Sequence, residues 1–445
     1  MALASTTTWE VRTTGGADHG GGFNASRAGA GTNYSLQDNP ELAPTNLYRV
    51  AASSLYSDSF VFTAAMVGNL IYIASGTHFT AGWYEITART DNTHVTLDRD
   101  PASEDTSAHK DGVGNVGGAI DHPNTISTKV VAGNTVYILT GSYGEIGAND
   151  YVLSTAVSGS ESLPISWIGY HDARTTTPIG ADRPTFDGGA GVANVILHNY
   201  DKNIFKNLII TNGTIGFGGA PTSNPVDGGR YHTVQNCKIH TNTGDGISHS
   251  FGSSQGLLRL VDCEISANGS DGIYMASNAP RIYILGCYIH NNTALGINAF
   301  QALIATMHSN VIESNGDTGS YTSINNGSGN VGPLIANNVF YNNTGAASDG
   351  IYFGGTGPVD VINNISKDNG RYAFNENATN PYVNFDYNCY HGHGTELNAV
   401  VAGENDVGDA DPSFTNAAGG DFTLAAGSPC LNTGFPQTPM AGATI

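Results

Sequence analysis

The residues of this chain best suited to chemistry are two acids, Glu264 and Glu313, which recur at related positions of a repeated segment. His240, His290, Tyr288 and Tyr341 stand at neighbouring positions of the same segment. Cleaving a glycosidic bond takes two carboxyl groups about 5–9.5 Å apart, one to protonate the leaving oxygen and one to act as base or nucleophile. If repeats stack about 4.8 Å apart, acids two repeats apart are separated by roughly 10 Å, just past that range. Tyr288, Tyr341, His240 and His290 would then line a polar and aromatic patch able to hold a glycan. A solvated face, or a contact between subunits, is the preferred reading of the same residues.

Other chemistries find less. Asp245, Asp271 and Asp349 each precede a Gly-Ile pair, and Asp-Gly is foremost a turn dipeptide. No Walker sequence, H-E-x-x-H or G-x-S-x-G is present, and His19, His109, His391 and His393 read as structural or exposed. No cofactor and no metal is expected. Cys237, Cys263 and Cys287 lack the short C-x₂₋₄-C spacing of metal ligands.

The elements that would position these side chains come from an internal repeat. Leu208 opens a column that continues through Cys237, Cys263, Cys287, Asn310, Asn338 and Asn364, in steps of 29, 26, 24, 23, 28 and 26 residues. Five residues further on, Asn242, Asn268, Asn292, Asn315, Asn343 and Asn369 form a second column. Three residues before the first column stand Val234, Leu260, Ile284, Met307, Ile335 and Val361. A period near 25 with three short alternating runs and no helical spacing predicts an all-β fold, a parallel β-helix with three strands per coil. Stacking turns both columns into ladders, thiols and then amides at one corner and amides bonding successive coils at the other.

Composition agrees. The 445 residues carry 17 Lys+Arg against 38 Asp+Glu, a net charge of −21, so cations are too few and scattered to grip nucleic acid. Charged residues are only 12% and glycines number 58, which suits strands joined by tight turns better than amphipathic helices. No stretch approaches the roughly 20 apolar residues of a membrane span, and the start lacks the pattern of a signal peptide. Five cysteines, an odd number without disulfide-framework spacing, fit synthesis in a reducing compartment.

Outside the repeat, Phe60–Thr63, Leu70–Ile73, Trp83–Thr87 and His94–Leu97 read as strands of a small antiparallel module, with Gly-rich linkers at 15–32 and 112–118. The expected organisation is an N-terminal arm or anchor over 1–34, the antiparallel β module over 35–118, the right-handed β-helix over 119–390, and a C-terminal cap and tail over 391–445. A cap is needed because the last coil otherwise offers unpaired backbone groups.

The coil pattern N-x-I-x-x-N with D-G-I, the run Gly133-Asn-Thr-Val-Tyr-Ile138 and the ending Asp411-Pro-x-Phe414, Gly420-Asp-Phe-x-Leu424, Gly427-Ser-Pro-Cys-Leu-Asn-Thr-Gly434 resemble the pectate-lyase-like right-handed parallel β-helix proteins. Members of that superfamily include polysaccharide lyases, glycoside hydrolases, epimerases and spikes of tailed phages. The lyases use an Arg or Lys base with Ca²⁺ held by acids on one sheet. Here the outward positions supply only Glu264 and Glu313 and no cationic pair facing them.

The N-terminal part, with Trp9-Glu-Val-Arg-Thr-Thr-Gly-Gly16 and Phe62-Thr-Ala-Ala-Met-Val-Gly-Asn-Leu-Ile-Tyr-Ile73, is similar to tailed-phage proteins. That resemblance implies a structural protein of a virion, a capsid decoration, head fibre or tailspike-like component made in the host cytoplasm. It would bind phage capsid or tail proteins through its N-terminal region and trimerise along the apolar stripe Val311, Val339, Ile365. Host-surface glycan is a further expected partner, and neither nucleic acid nor a membrane is. The alternatives are a polysaccharide-cleaving enzyme and a passive glycan-binding module.

Overall fold

The computed structural model describes residues 3–434 except 39–41, 103–109, 190, 220–230, 250–256, 276–280, 300–302, 325–332, 346–347, 356–357 and 377–382. His109 lies outside the described residues. The fold is all-β, and among the described residues the only helices are single 3₁₀ turns. The chain divides into two compact units, Met1–Asp187 with Ile196–Ile209, and Gly188–Val195 with Ile210–Ile445.

In the first unit, six strands close an antiparallel barrel in the order Leu47–Ala51, Ser54–Ser57, His94–Leu97, Gly82–Arg89, Leu70–Thr77, Lys110–Val116. Its core packs Leu47, Leu55, Phe62, Ile71, Ile73, Ile86, Val95 and Val116. Phe60–Thr63 is not a strand as expected, although Phe62 still enters the core. The stretch expected to be a linker, 112–118, instead supplies most of the closing strand. Its glycines serve close packing, since a Cβ on Gly112 would lie 2.7 Å from that of Leu47.

The segment expected as an N-terminal arm contains the strand Thr8–Val11, which pairs in parallel with Thr135–Leu139, itself paired with Ile165–Tyr170. An inward row Trp9, Val136, Trp167, Phe205 results. Trp9 donates to Asn134 Oδ1 at 3.2 Å and Trp167 to Asn203 Oδ1 at 3.0 Å, so each buried indole meets an amide one strand further on. A coil can therefore borrow a strand from far upstream, which a period search along the chain does not reveal.

The second unit stacks three parallel sheets. Sheet A runs through His232–Gln235, Leu257–Val261, Arg281–Leu285, Leu303–His308, Leu334–Ala336, Val359–Ile362 and Val383–Asp386. Sheet B runs through Lys238–His240, Glu264–Ser266, Tyr288–His290, Val311–Glu313, Val339–Tyr341, Ile365–Lys367 and Cys389–His391. Sheet C includes Ile247–His249, Ile273–Met275, Ile297–Ala299, Ser320–Ile324, Ile351–Gly355 and Tyr372–Glu376.

Two corners of each coil are made alike. The residue before each ladder position bends the chain by taking positive φ: Asn236, Asp262, Ser309, Asn337 and Asn363 at the A–B corner, and Thr241, Ala267, Asn291, Ser314, Asn342 and Asp368 at the B–C corner. Asn and Asp tolerate that conformation through local hydrogen bonds. The ladder residue that follows turns inward. At the B–C corner each Asn side chain from Asn268 to Asn343 accepts from the Asn of the preceding coil and donates to that of the next, for example Asn292 Nδ2 to Asn315 Oδ1 at 2.9 Å and Asn315 Nδ2 to Asn343 Oδ1 at 3.0 Å. Cys237, Cys263 and Cys287 are buried thiols, and the amide ladder at their corner begins where Cys287 N donates to Asn310 Oδ1 at 2.8 Å.

Candidate functional site

Sheet B is where the expected site residues stand, and its register sets their neighbours. One outward row reads Lys238, Glu264, Tyr288, Val311, Val339, Ile365, and the other His240, Ser266, His290, Glu313, Tyr341, Lys367. Glu264 and Glu313 therefore sit two coils apart and in different rows. The apolar stripe Val311, Val339, Ile365 is continuous, and each residue is half-buried.

The structure draws Glu264, Tyr288, His290 and Glu313 into one cluster, and both acids in it are already engaged. Glu264 accepts from Lys238 Nζ at 2.8 Å and lies 3.5 Å from His290 Nε2. Its pairing with His290, and then with the nearby Lys238 ammonium, holds its carboxyl down at about 2 against the cost of partial burial. A carboxyl so acidic cannot serve as a proton donor near neutrality. Glu313, only 9% exposed, accepts from the Tyr288 hydroxyl and from Ser314 Oγ at 2.9 Å. Burial, and then the bond to Glu313, push the Tyr288 phenol up, so it remains a donor. The Tyr288 and His290 rings stack on each other at 3.9 Å. His240 bonds its neighbour Thr241 at 2.7 Å, and burial lowers its basicity.

The C-terminal segment also covers this face. Phe414–Asn416 and Asp421–Leu424 form a hairpin whose Phe414 and Phe422 pack on Tyr341 at 6.0 and 5.5 Å between ring centroids. Asp411 pairs with Lys367 at 2.6 Å, and a Cβ on Gly420 would lie 3.7 Å from the Tyr288 hydroxyl. Cys430 forms a disulfide with Cys389 of the last sheet B strand. An odd cysteine count without framework spacing gave no sign of this pair, which forms because folding back brings together two residues that are 41 apart in sequence. The region expected as a cap runs back along the outside of sheet B.

A second group, the acids of the Asp-Gly pairs read above as turn residues, stands at the turns leading into sheet C. Asp271 is buried, accepts from Leu295 N at 2.9 Å and from Asn298 Nδ2 at 2.8 Å, and abuts Asp245, whose Oδ1 accepts from Asp271 N at 3.2 Å. Burial raises its carboxyl, with Asp245 and Asp317 adding repulsion. Further along, buried Asp349 is gripped by Arg371 through two bonds at 2.9 and 2.8 Å and by Asn375 at 2.6 Å. The D-G-I motif marked these acids as turn residues, and nothing local distinguished a buried one from an exposed one. Among the described residues, no three His, Cys, Asp or Glu side chains converge as metal ligands.

These features define a right-handed parallel β-helix protein, and residues 225–389 match the family model described as the right handed beta helix region. None of the curated proteins compared matches the chain in sequence. Among solved structures, a pectate lyase is similar at 14% identity and a TM-score of 0.43, with 74% of this chain and 89% of that one covered. An alginate lyase from a Paenibacillus species gives 11% identity and 0.40, covering 63% and 95%. The A-module of a mannuronan C-5 epimerase from Azotobacter vinelandii gives 15% and 0.38, covering 62% and 91%. No helix among the described residues is long and apolar enough to cross a membrane.

Proposed function

We propose that this protein is a non-catalytic structural component of a tailed-phage particle, a capsid decoration or tailspike-like element built on a β-helix. One observation carries the reading: the face of sheet B that would present a catalytic pair has both acids consumed and lies under the chain's own hairpin. Amide ladders through successive coils suit a rigid projecting rod, and the phage-like N-terminal sequence suits attachment. The stripe Val311, Val339, Ile365 shares the sheet B face that the hairpin covers, so the proposed trimer contact is another face of the coils.

The test is the mass of the purified chain by size-exclusion chromatography with light scattering. A stable trimer near three times 46.2 kDa supports the reading, and a clean monomer refutes it.

A second reading, glycan cleavage, is favoured by Asp271 rather than by Glu264 and Glu313. A carboxyl raised above the ordinary carboxylate range by burial, beside a more exposed one, Asp245, is the kind of arrangement that separates general acid from base. On a panel of neutral and acidic polysaccharides this reading expects cleavage that Asp271→Asn abolishes. Cleavage unaffected by Asp271→Asn would refute the assignment.

A further inference from the structure

Within the first unit, a cavity of about 460 Å³ opens beside the barrel, lined in part by Tyr72, Trp83, Arg99, Thr128 and Lys129. Tyr72 and Trp83 lie against each other at 4.7 Å between ring centroids with a tilt of 47°. The Lys129 ammonium stands 5.7 Å from the centroid of the Trp83 ring. Arg99 is anchored by Asp98 at 2.6 Å and by the Trp83 carbonyl, which fixes its guanidinium while leaving further N–H groups unspent.

Two features of the lining select a ligand. First, it holds two of only 17 Lys+Arg in a chain with 38 acids; Asp98 pairs with Arg99 from outside the lining, which itself contains no carboxylate, so Lys129 is the cation left without an acid. Among the described residues, no acid lies within ion-pair distance of the exposed Lys129. Desolvating an anion costs least where fixed cations replace its water, and a ring placed beside indole and phenol gains apolar contact. Second, the lining contains no Asp, Glu, Asn or Gln, the side chains that would pair with the many hydroxyls of a sugar. A polyhydroxylated ligand would find only the Tyr72 and Thr128 hydroxyls as side-chain acceptors for its many O–H groups.

We infer that this cavity binds a small amphiphilic anion, an aromatic or apolar body bearing a single carboxylate, with the ring against Tyr72 and Trp83 and the charge on Lys129 and Arg99. The site is separate from sheet B and does not depend on the role assigned above.

Isothermal titration calorimetry of the full chain with 2-naphthoate, the isosteric neutral 2-naphthamide and glucuronate tests it. Naphthoate should bind at least about tenfold more tightly than naphthamide, a difference of about 1.4 kcal/mol. Lys129→Ala should lose about that factor and Lys129→Arg should largely retain binding. Lys129 is exposed, so neither change threatens the fold, and circular dichroism of both variants confirms it. Equal affinity for naphthamide, tighter binding of glucuronate, no change in Lys129→Ala, or no heat with naphthoate at millimolar concentration would each overturn the inference.

Discussion

Asn315→Ala probes the ladder that holds the coils in register. Its Oδ1 accepts from Asn292 N at 3.2 Å and Asn292 Nδ2 at 2.9 Å, and its Nδ2 donates to Ile289 O at 3.3 Å and Asn343 Oδ1 at 3.0 Å. Asn292, Asn315 and Asn343 are all essentially inaccessible to water. Truncation leaves the Asn292 N–H and the Ile289 carbonyl with nothing to replace the lost partner. Each unsatisfied buried group costs about 1–3 kcal/mol, so the expected loss is about 4 kcal/mol.

With a urea m-value near 3 kcal/mol/M, that is a fall of about 1.3 M in the unfolding midpoint, followed by circular dichroism. Thr293→Ala, exposed in the equivalent turn one coil earlier, should stay within about 0.5 kcal/mol. A midpoint shift in Asn315→Ala below about 0.3 M, with m unchanged, would mean that water or relaxation satisfies the orphaned groups and that the ladder is not what aligns the coils.

Glu264, with its folded value near 2 against 4.5 unperturbed, contributes stability above about pH 4.5 that is lost as pH falls towards 2. Because its side chain is 32% exposed the contribution is at most about 1 kcal/mol, and Glu264→Gln should flatten acid unfolding in that window only. Tyr288→Phe leaves buried Glu313 short of a donor and should lower the thermal midpoint by an amount equivalent to about 1–3 kcal/mol, measured by calorimetry. Reducing Cys389–Cys430 should cost about 4 kcal/mol on a chain-entropy account. It should also release the hairpin over Tyr341 to limited proteolysis, with cleavage between residues 399 and 434 mapped by mass spectrometry.

The ladders were legible because they are repetitive: Asn242 through Asn369 keep one spacing, and stacked strands turn equal spacing into contact. The same logic placed Glu264 and Tyr288 outward on adjacent strands. It could not report that Lys238 and His290 close on Glu264, since that depends on which rotamers meet across coils. Asp271 was hidden for a related reason. Its D-G-I context is shared with Asp245, and only the packing around Asn298 separates the buried carboxyl from its neighbour.

Period and alternation along the chain by themselves determined the parallel β-helix, its two ladder corners and the existence of a separate antiparallel module, because these follow from local geometry repeated about every 25 residues. The tertiary structure alone decided that Thr8–Val11 joins a sheet with Thr135–Leu139, that Lys110–Val116 closes the barrel, and that Cys430 returns to Cys389 with Phe414 and Phe422 over Tyr341. Each of these pairs segments whose spacing matches no repeat. Such contacts are chosen by which surfaces remain uncovered once the coils have stacked, a property of the assembled fold rather than of any window of sequence.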